Sequence, residues 1–223
     1  TVLDTGVPCP WTPNRTLAGA RVASGARQGG YPQPVIPLLD LAELEVAVDG
    51  TGWGPVMLVP ATGSTNADLA ALARGGAAHG IVEITAWQQA GRGRFDRVWA
   101  SPPEACLAMS VLARPRVGLV SWGWLSLLVG MAVVDGLREA SGVSATLKWP
   151  NDVEVGGRKV CGILCEAVQT QAGLAAVLGV GINVRLTPDQ LPVPTATSLT
   201  IEGSDASGSA VARQVGILAP TVR

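Results

Sequence analysis

The chain has 223 residues, of which 48% are hydrophobic and 15% charged, with a net charge of -1. That is enough for a sizeable core and gives no global basic field, which argues against a nucleic-acid binder working through backbone electrostatics. The longest near-apolar run, Trp122–Val134, is cut by Asp135 and falls short of the ~20 residues of a membrane span, so a buried helix and no membrane role are expected.

No basic start, apolar stretch and small-residue cleavage site are legible at the N-terminus. The four cysteines, Cys9, Cys106, Cys161 and Cys165, match no zinc spacing. Cys161 and Cys165 lie in an apolar run and read as small core residues. Together these features point to a cytoplasmic, reduced protein. His79 is the only histidine. It lies in a Gly/Ala-rich loop, so a Ser-His-Asp triad has no evident base.

Residues 1–34 are rich in Gly, Pro, Ala and Arg and hold no period, so an irregular or disordered lead-in is expected. A short helix follows over Leu38–Val48, then a strand over Val56–Val59. Ser64, Thr65 and Asn66 favour a helix N-cap, and Thr65 with Asp68 resembles a capping box. A second reading of the same segment is a set of donors at a helix N-terminus, offered to a polar head group. The helix runs on to Arg74 and stops at Gly75-Gly76.

Ile81–Ala86 is strand-like and leads into Gln88-Gln89-Ala90-Gly91-Arg92-Gly93-Arg94. Glycine at alternate positions lets the backbone approach a ligand, and the arginines between them are permanently charged forks for carboxylate or phosphate. Alone, this stretch is more often a solvated basic turn than an anion site. No period is visible from there to Pro103. Cys106–Leu112 is strand-like, and Ser121–Ala140 is the expected buried helix, with Trp122 and Trp124 in the core. Ser144–Lys148 is a strand ending in Lys148-Trp149-Pro150-Asn151-Asp152. Lys148 and Trp149 should point to opposite faces there, and Asp152 reads first as a turn residue and second as a metal ligand. Val153–Val155, Gly156-Gly157 and Arg158–Val168 form a hairpin. Leu174–Val184 is a further strand whose glycines imply a close approach to another backbone or a ligand. Thr195–Leu199 reads as a polar turn, and Ala210–Leu218 as one weak helical stretch. The expected fold class is α+β, a mixed β-sheet flanked by helices.

Five segments in order, STN at 64–66, QQAGRGR at 88–94, KWPND at 148–152, RKVCGIL at 158–164 and GVGINV at 179–184, resemble the catalytic domain of biotin protein ligases. The likeness covers about residues 36–199. Lipoate ligases and octanoyltransferases share the fold without the GRGR and KWPND wording. The resemblance implies a class II aminoacyl-tRNA synthetase-like catalytic domain over residues 35–204, with 205–223 as an irregular tail in place of the usual small C-terminal SH3-like barrel. It also implies no DNA-binding role, since residues 1–34 show no winged helix-turn-helix.

What the family implies falls on particular residues. Ser64, Thr65 and Asn66 would meet or adjoin biotin's ureido ring, and Gln88 would contact biotin. Gly91, Arg92, Gly93 and Arg94 would close over biotin and the adenylate, Trp99 would wall the pocket, Lys148 would contact the reacting carboxylate and phosphate, and Asn183 would lie near the nucleotide. Arg94 and Lys148 are the expected catalytic pair. The implied reaction joins biotin to ATP with Mg2+, giving biotinyl-5'-AMP, and passes biotin to a lysine of a biotin carboxyl carrier domain. The alternatives are a truncated biotin-binding module and a ligase for lipoate or octanoate. Phe95-Asp96-Arg97 departs from the family pattern by setting a carboxylate beside the anion loop.

Overall fold

The structure, a computed structural model, describes residues 38–218. The expected irregular lead-in at 1–34 lies outside the described residues.

Nine strands and four α-helices follow in chain order among the described residues. They are α1 (Leu41–Val48), β1 (Val56–Leu58), α2 (Thr65–Arg74), β2 (Val82–Thr85), β3 (Gly91–Arg92), β4 (Val98–Trp99), β5 (Cys106–Ala113), α3 (Leu125–Ser141), β6 (Ala145–Lys148), β7 (Asp152–Val155), β8 (Arg158–Thr170), β9 (Gly173–Asn183) and α4 (Gly208–Leu218). Seven strands form one sheet in the order β1-β2-β5-β9-β8-β7-β6, and β3 pairs with β4 apart from it. The β1–β2 pair is parallel and the other pairs of the sheet are antiparallel. This is the mixed sheet flanked by helices that the sequence predicts.

Side chains alternate between the two faces of each strand. On one face Ile84, Leu107, Met109, Val180, Ile182, Cys161 and Ile163 are buried in the main core with residues of α1, α3 and α4. On the other face Leu112, Val168, Ala175 and Val177 meet Leu69, Ala70 and Ala73 of α2. Beyond the end of α2 that second face carries small residues. The cross-strand row Ser110–Gly179–Leu164 lies next to the row Ala108–Gly181–Gly162. This stretch of sheet, stripped of bulk, is the floor of the site.

Four expectations change. The C-terminal stretch is not an irregular tail: α4 buries Val211, Ala212 and Val215. Its backbone comes so close to α3 that a Cβ on Gly136 would stand 2.7 Å from the Val215 nitrogen. The helix expected over Ser121–Ala140 is a 3-10 segment, Leu119–Trp124, followed by α3. Trp124 is 64% exposed and Trp122 only partly buried, so neither is a central core residue. By length and composition the run 119–141 could cross a membrane, but it lies against the sheet with Val129, Val133 and Leu137 buried. The fourth change is at Thr195–Leu199, where Ala196, Thr197, Ser198 and Leu199 are buried rather than a surface turn.

The cysteines behave as the apolar run predicts. Cys106 and Cys161 are buried, and burial pushes the thiols of Cys106, Cys161 and Cys165 well up, Cys106 and Cys165 to about 11. Protonated thiols are poor nucleophiles. His79 stacks on Trp53 at 5.1 Å, and its Nδ1 accepts the Arg114 backbone N–H.

Candidate active site

A cavity of about 400 Å3 lies over the small-residue floor. This is the size range of small-molecule sites. It is lined from α2 by Ser64, Thr65 and Asn66, from the glycine loop by Gln88 and Arg92 to Trp99, and from the hairpin side by Lys148 to Asp152 and Lys159.

At one end the polar groups are uncharged and already bonded to one another. Ser110 Oγ donates to Asn66 Oδ1 at 2.6 Å, which leaves it to accept from Thr65 Oγ1 at 2.7 Å. Asn66 Nδ2 donates to the Leu164 carbonyl at 3.0 Å and to Glu166 Oε2 at 2.7 Å. Asn66 is thus a fully used strut, not a free ligand group. A Cβ on Gly179 would lie 2.1 Å from its Oδ1, so this strut requires glycine beneath it. The Thr65 N–H donates to Gln88 Oε1 at 2.9 Å. That bond orients the amide, so Gln88 keeps its NH2 donors and Thr65 Oγ1 keeps a lone pair, side by side. Ser64 is the α2 N-cap residue, yet its side chain makes no cap bond. Asp68 takes no part in a capping box; its Oδ2 accepts the Thr62 hydroxyl.

Cations gather along the rest of the lining. Arg92, Arg94, Arg97, Lys148 and Lys159 line the cavity, against one lining carboxylate, Asp152. They come from three segments. Arg92 is held at 2.9 Å to Glu166 Oε2, the oxygen that also receives Asn66. Arg94 lies over the Phe95 ring at 4.9 Å. Phe95 itself has φ 57, a left-handed conformation uncommon for an aromatic residue, and is 80% exposed. The Asp96 side chain lies outside the described atoms. Gly91 is required where it is, because a Cβ there would stand 2.4 Å from the Trp99 carbonyl.

Trp99 lies flat on the floor: Cβ atoms placed on Gly181 and Gly162 would meet its ring at 2.8 and 3.0 Å. Lys159 Nζ is 5.7 Å from the Trp99 ring centre and 2.6 Å from Asp152 Oδ1, an ion pair without good hydrogen-bond direction. Lys148 sits at the rim. Its Nζ is 2.5 Å from Glu154 Oε1, a bond that raises its pKa. Lys148 and Trp149 do not diverge to opposite faces; both line the same rim, with Trp149 78% exposed. Asp152 is not a turn residue but opens β7 and faces the cavity.

Of the site residues singled out from the sequence, all but Gly91 and Asn183 line the cavity, and Gly91 packs beside it against the Trp99 carbonyl. Asn183 is buried away from the cavity. Its Nδ2 donates to the Thr197 carbonyl at 2.8 Å and its Oδ1 accepts from Cys106 Sγ. Lys159, Ser110, Gly162 and Glu166 were not singled out. For Lys159 the reason is a β-bulge. Alternation from Cys161 and Ile163 would put Lys159 on the core face, but the β7–β8 register shifts between Val153 and Glu154 and turns it to the cavity.

Residues 59–183 match the biotin/lipoate A/B protein ligase family. The chain belongs to this family. It is 46% identical over 155 residues to a biotin–[acetyl-CoA-carboxylase] ligase of Mycobacterium tuberculosis, covering 67% of this chain and 56% of that protein. It is 39% identical over 122 residues to the bifunctional ligase/repressor BirA of Bacillus subtilis, covering 54% and 38%. The fold is similar to the biotin protein ligase of Aquifex aeolicus in complex with biotin and ATP, with TM-score 0.62, 28% identity and coverage of 76% and 72%. The chain thus spans about half the length of the first of these curated relatives and less of the second. The mixed sheet is that of the biotin protein ligase catalytic domain.

Proposed function

We propose that this domain joins biotin to ATP, forming biotinyl-5'-AMP with release of pyrophosphate, and then delivers biotin to a lysine of a biotin carboxyl carrier domain. The observation that carries this reading is the polarity of one cavity. Its Thr65–Gln88 end offers an acceptor and a donor side by side, which suits a cyclic urea with one C=O and flanking N–H groups. The rest of its lining gathers lysines and arginines. Between them lies a floor of Gly162 and Gly181 under the Trp99 ring and Gly179 under Asn66, suited to an apolar bicycle and chain.

The chemistry follows from charge. A carboxylate must approach the α-phosphate of ATP, and two anions repel. Fixed cations placed where negative charge builds up lower that barrier. Lys159, the less exposed of the two lysines, is braced by Asp152, and Arg94 and Lys148 line the same cavity. Arg92 must leave Glu166 to reach a ligand, so the glycine loop changes partners on binding. A loop ordered over the mixed anhydride excludes water from it. The acceptor amine then attacks the acyl carbon and AMP departs. No cluster of three or more His, Cys, Asp or Glu that could hold a metal occurs among the described residues. Asp152 fits the usual magnesium arrangement of one or two carboxylates plus substrate phosphates. The ion, when bound, would draw charge from the phosphate oxygens. Cytoplasmic location is part of this proposal.

The test uses the full 223-residue chain, radiolabelled ATP, magnesium and biotin, with a carrier domain as acceptor. Labelled adenylate that is consumed as the carrier is biotinylated is expected. Biotin binding without adenylate would favour a binding module, and adenylate from lipoate or octanoate in preference to biotin would move the substrate.

A further inference from the structure

Behind the uncharged end of the cavity lies a carboxyl group that neither the reaction nor the family resemblance uses. Glu83 is 2% exposed, in the middle of β2, on the sheet face that carries the site. Its cross-strand neighbours, Met57 on β1 and Ser110 on β5, are uncharged. From α2 the group facing it is Asp68, one turn into the helix that Thr65 and Asn66 begin. Asp68 also accepts the Thr62 hydroxyl. The Thr62 backbone pairs with the Gln88 strand, donating to the Trp87 carbonyl at 3.2 Å and accepting from the Gln89 N–H at 2.8 Å. One Glu83 oxygen, Oε2, is buried with no hydrogen-bond partner.

A buried carboxylate facing a second, half-buried one repels it unless one of the two carries a proton. We propose that Glu83 is a positioning residue: as a neutral acid it donates a hydrogen bond to the Asp68 carboxylate and locks the Thr62–Asn66 turn against Gln88. The inference rests on reading the cavity as the biotin site. Glu83 does not line the cavity and touches no substrate; it acts through Asp68 and Thr62. Desolvation first, then the bond to Asp68 and its negative charge, push the Glu83 carboxyl up to about 8. Below that pH the brace is intact. Above it the proton is lost, two anions face each other, and Thr65 moves from Gln88. The folded chain also holds this proton where the unfolded chain, at the ordinary 4.5, has released it. The contribution of Glu83 to stability therefore falls as pH rises from 4.5 towards 8.

Biotin affinity is measured by calorimetry on the full chain from about pH 7 to about pH 9.5, a range in which biotin's own carboxyl stays ionised. Wild type is expected to lose at least about fivefold in affinity with a midpoint near 8, and Glu83→Gln, which keeps a donor to Asp68 without a titrating proton, to stay flat. Parallel profiles for the two proteins overturn the proposal. Hydrogen-exchange protection of the Thr65 and Asn66 amides, without ligand, gives a second readout. It should fall at alkaline pH in wild type only, and equal protection in both proteins overturns the proposal whatever the ligand. If biotin binds at no pH, the proposed function fails while the exchange experiment still decides the acid pair. Should E83Q not fold, Asp68→Asn replaces it: removing the facing charge is expected to lower the alkaline midpoint, and an unmoved midpoint counts against the pair.

Discussion

At the scale of residues, two lysines divide the work unequally. Lys148 is 58% exposed and bonded to Glu154, so water and salt screen its charge. Lys159 is 33% exposed, lies beside the Trp99 ring and is held by Asp152. A charge in a drier place stabilises a developing anion more. Lys159→Ala is therefore expected to slow adenylate formation by about 100-fold or more in single-turnover assays, and Lys148→Ala by about 10-fold. A larger loss for Lys148→Ala than for Lys159→Ala would reverse this ranking. The sequence marks Lys148 through its KWPND setting. It hides Lys159, because strand alternation assigns that side chain to the core and only the bulge at Val153/Glu154 sends it to the cavity.

At the scale of elements, what the sequence made legible followed the strength of its local signals. The apolar runs at Ile81–Ala86, Cys106–Leu112 and Leu174–Val184 are strands within a residue or two of their expected ends. The two-residue strands β3 and β4 are too short to carry a period. The helix α4 reads weakly, with Gly208 and Gly216 and several β-branched residues in GSAVARQVGIL, and packing against α1 and α3 forms it against propensity. The close approach at the glycines of β9 is made by side chains rather than by a backbone or a ligand: Gly179 makes room for Asn66, and Gly181 for Trp99. Gly179→Ala would collide with a saturated, buried strut instead of a flexible side-chain end. We expect it to cost about 1–3 kcal/mol in chemical denaturation and to weaken biotin binding along with it. Full stability in that variant would mean that Asn66 can be displaced freely.

At the scale of the whole molecule, one sheet does two jobs. Its core face carries the large aliphatic side chains that hold α1, α3 and α4, and its other face carries mostly alanine, serine and glycine around the site, with Leu164 the one large aliphatic side chain in the two rows Ser110–Gly179–Leu164 and Ala108–Gly181–Gly162. The same register that packs Ile182 and Ile163 inward lays Gly181 and Gly162 outward as a floor. Segments far apart in sequence, 64–66, 88–99, 148–152 and 159, meet only because β5, β9 and β8 are neighbours. This convergence could not be read from any one segment; it was inferred from their order. The most direct measurement is a crystal structure with biotin bound. It should show the ureido ring against Thr65 and Gln88 and the carboxylate within about 3.5 Å of Lys159 Nζ, with Arg92 released from Glu166. Biotin lying elsewhere, or with its carboxylate at the Thr65 end, would contradict the account.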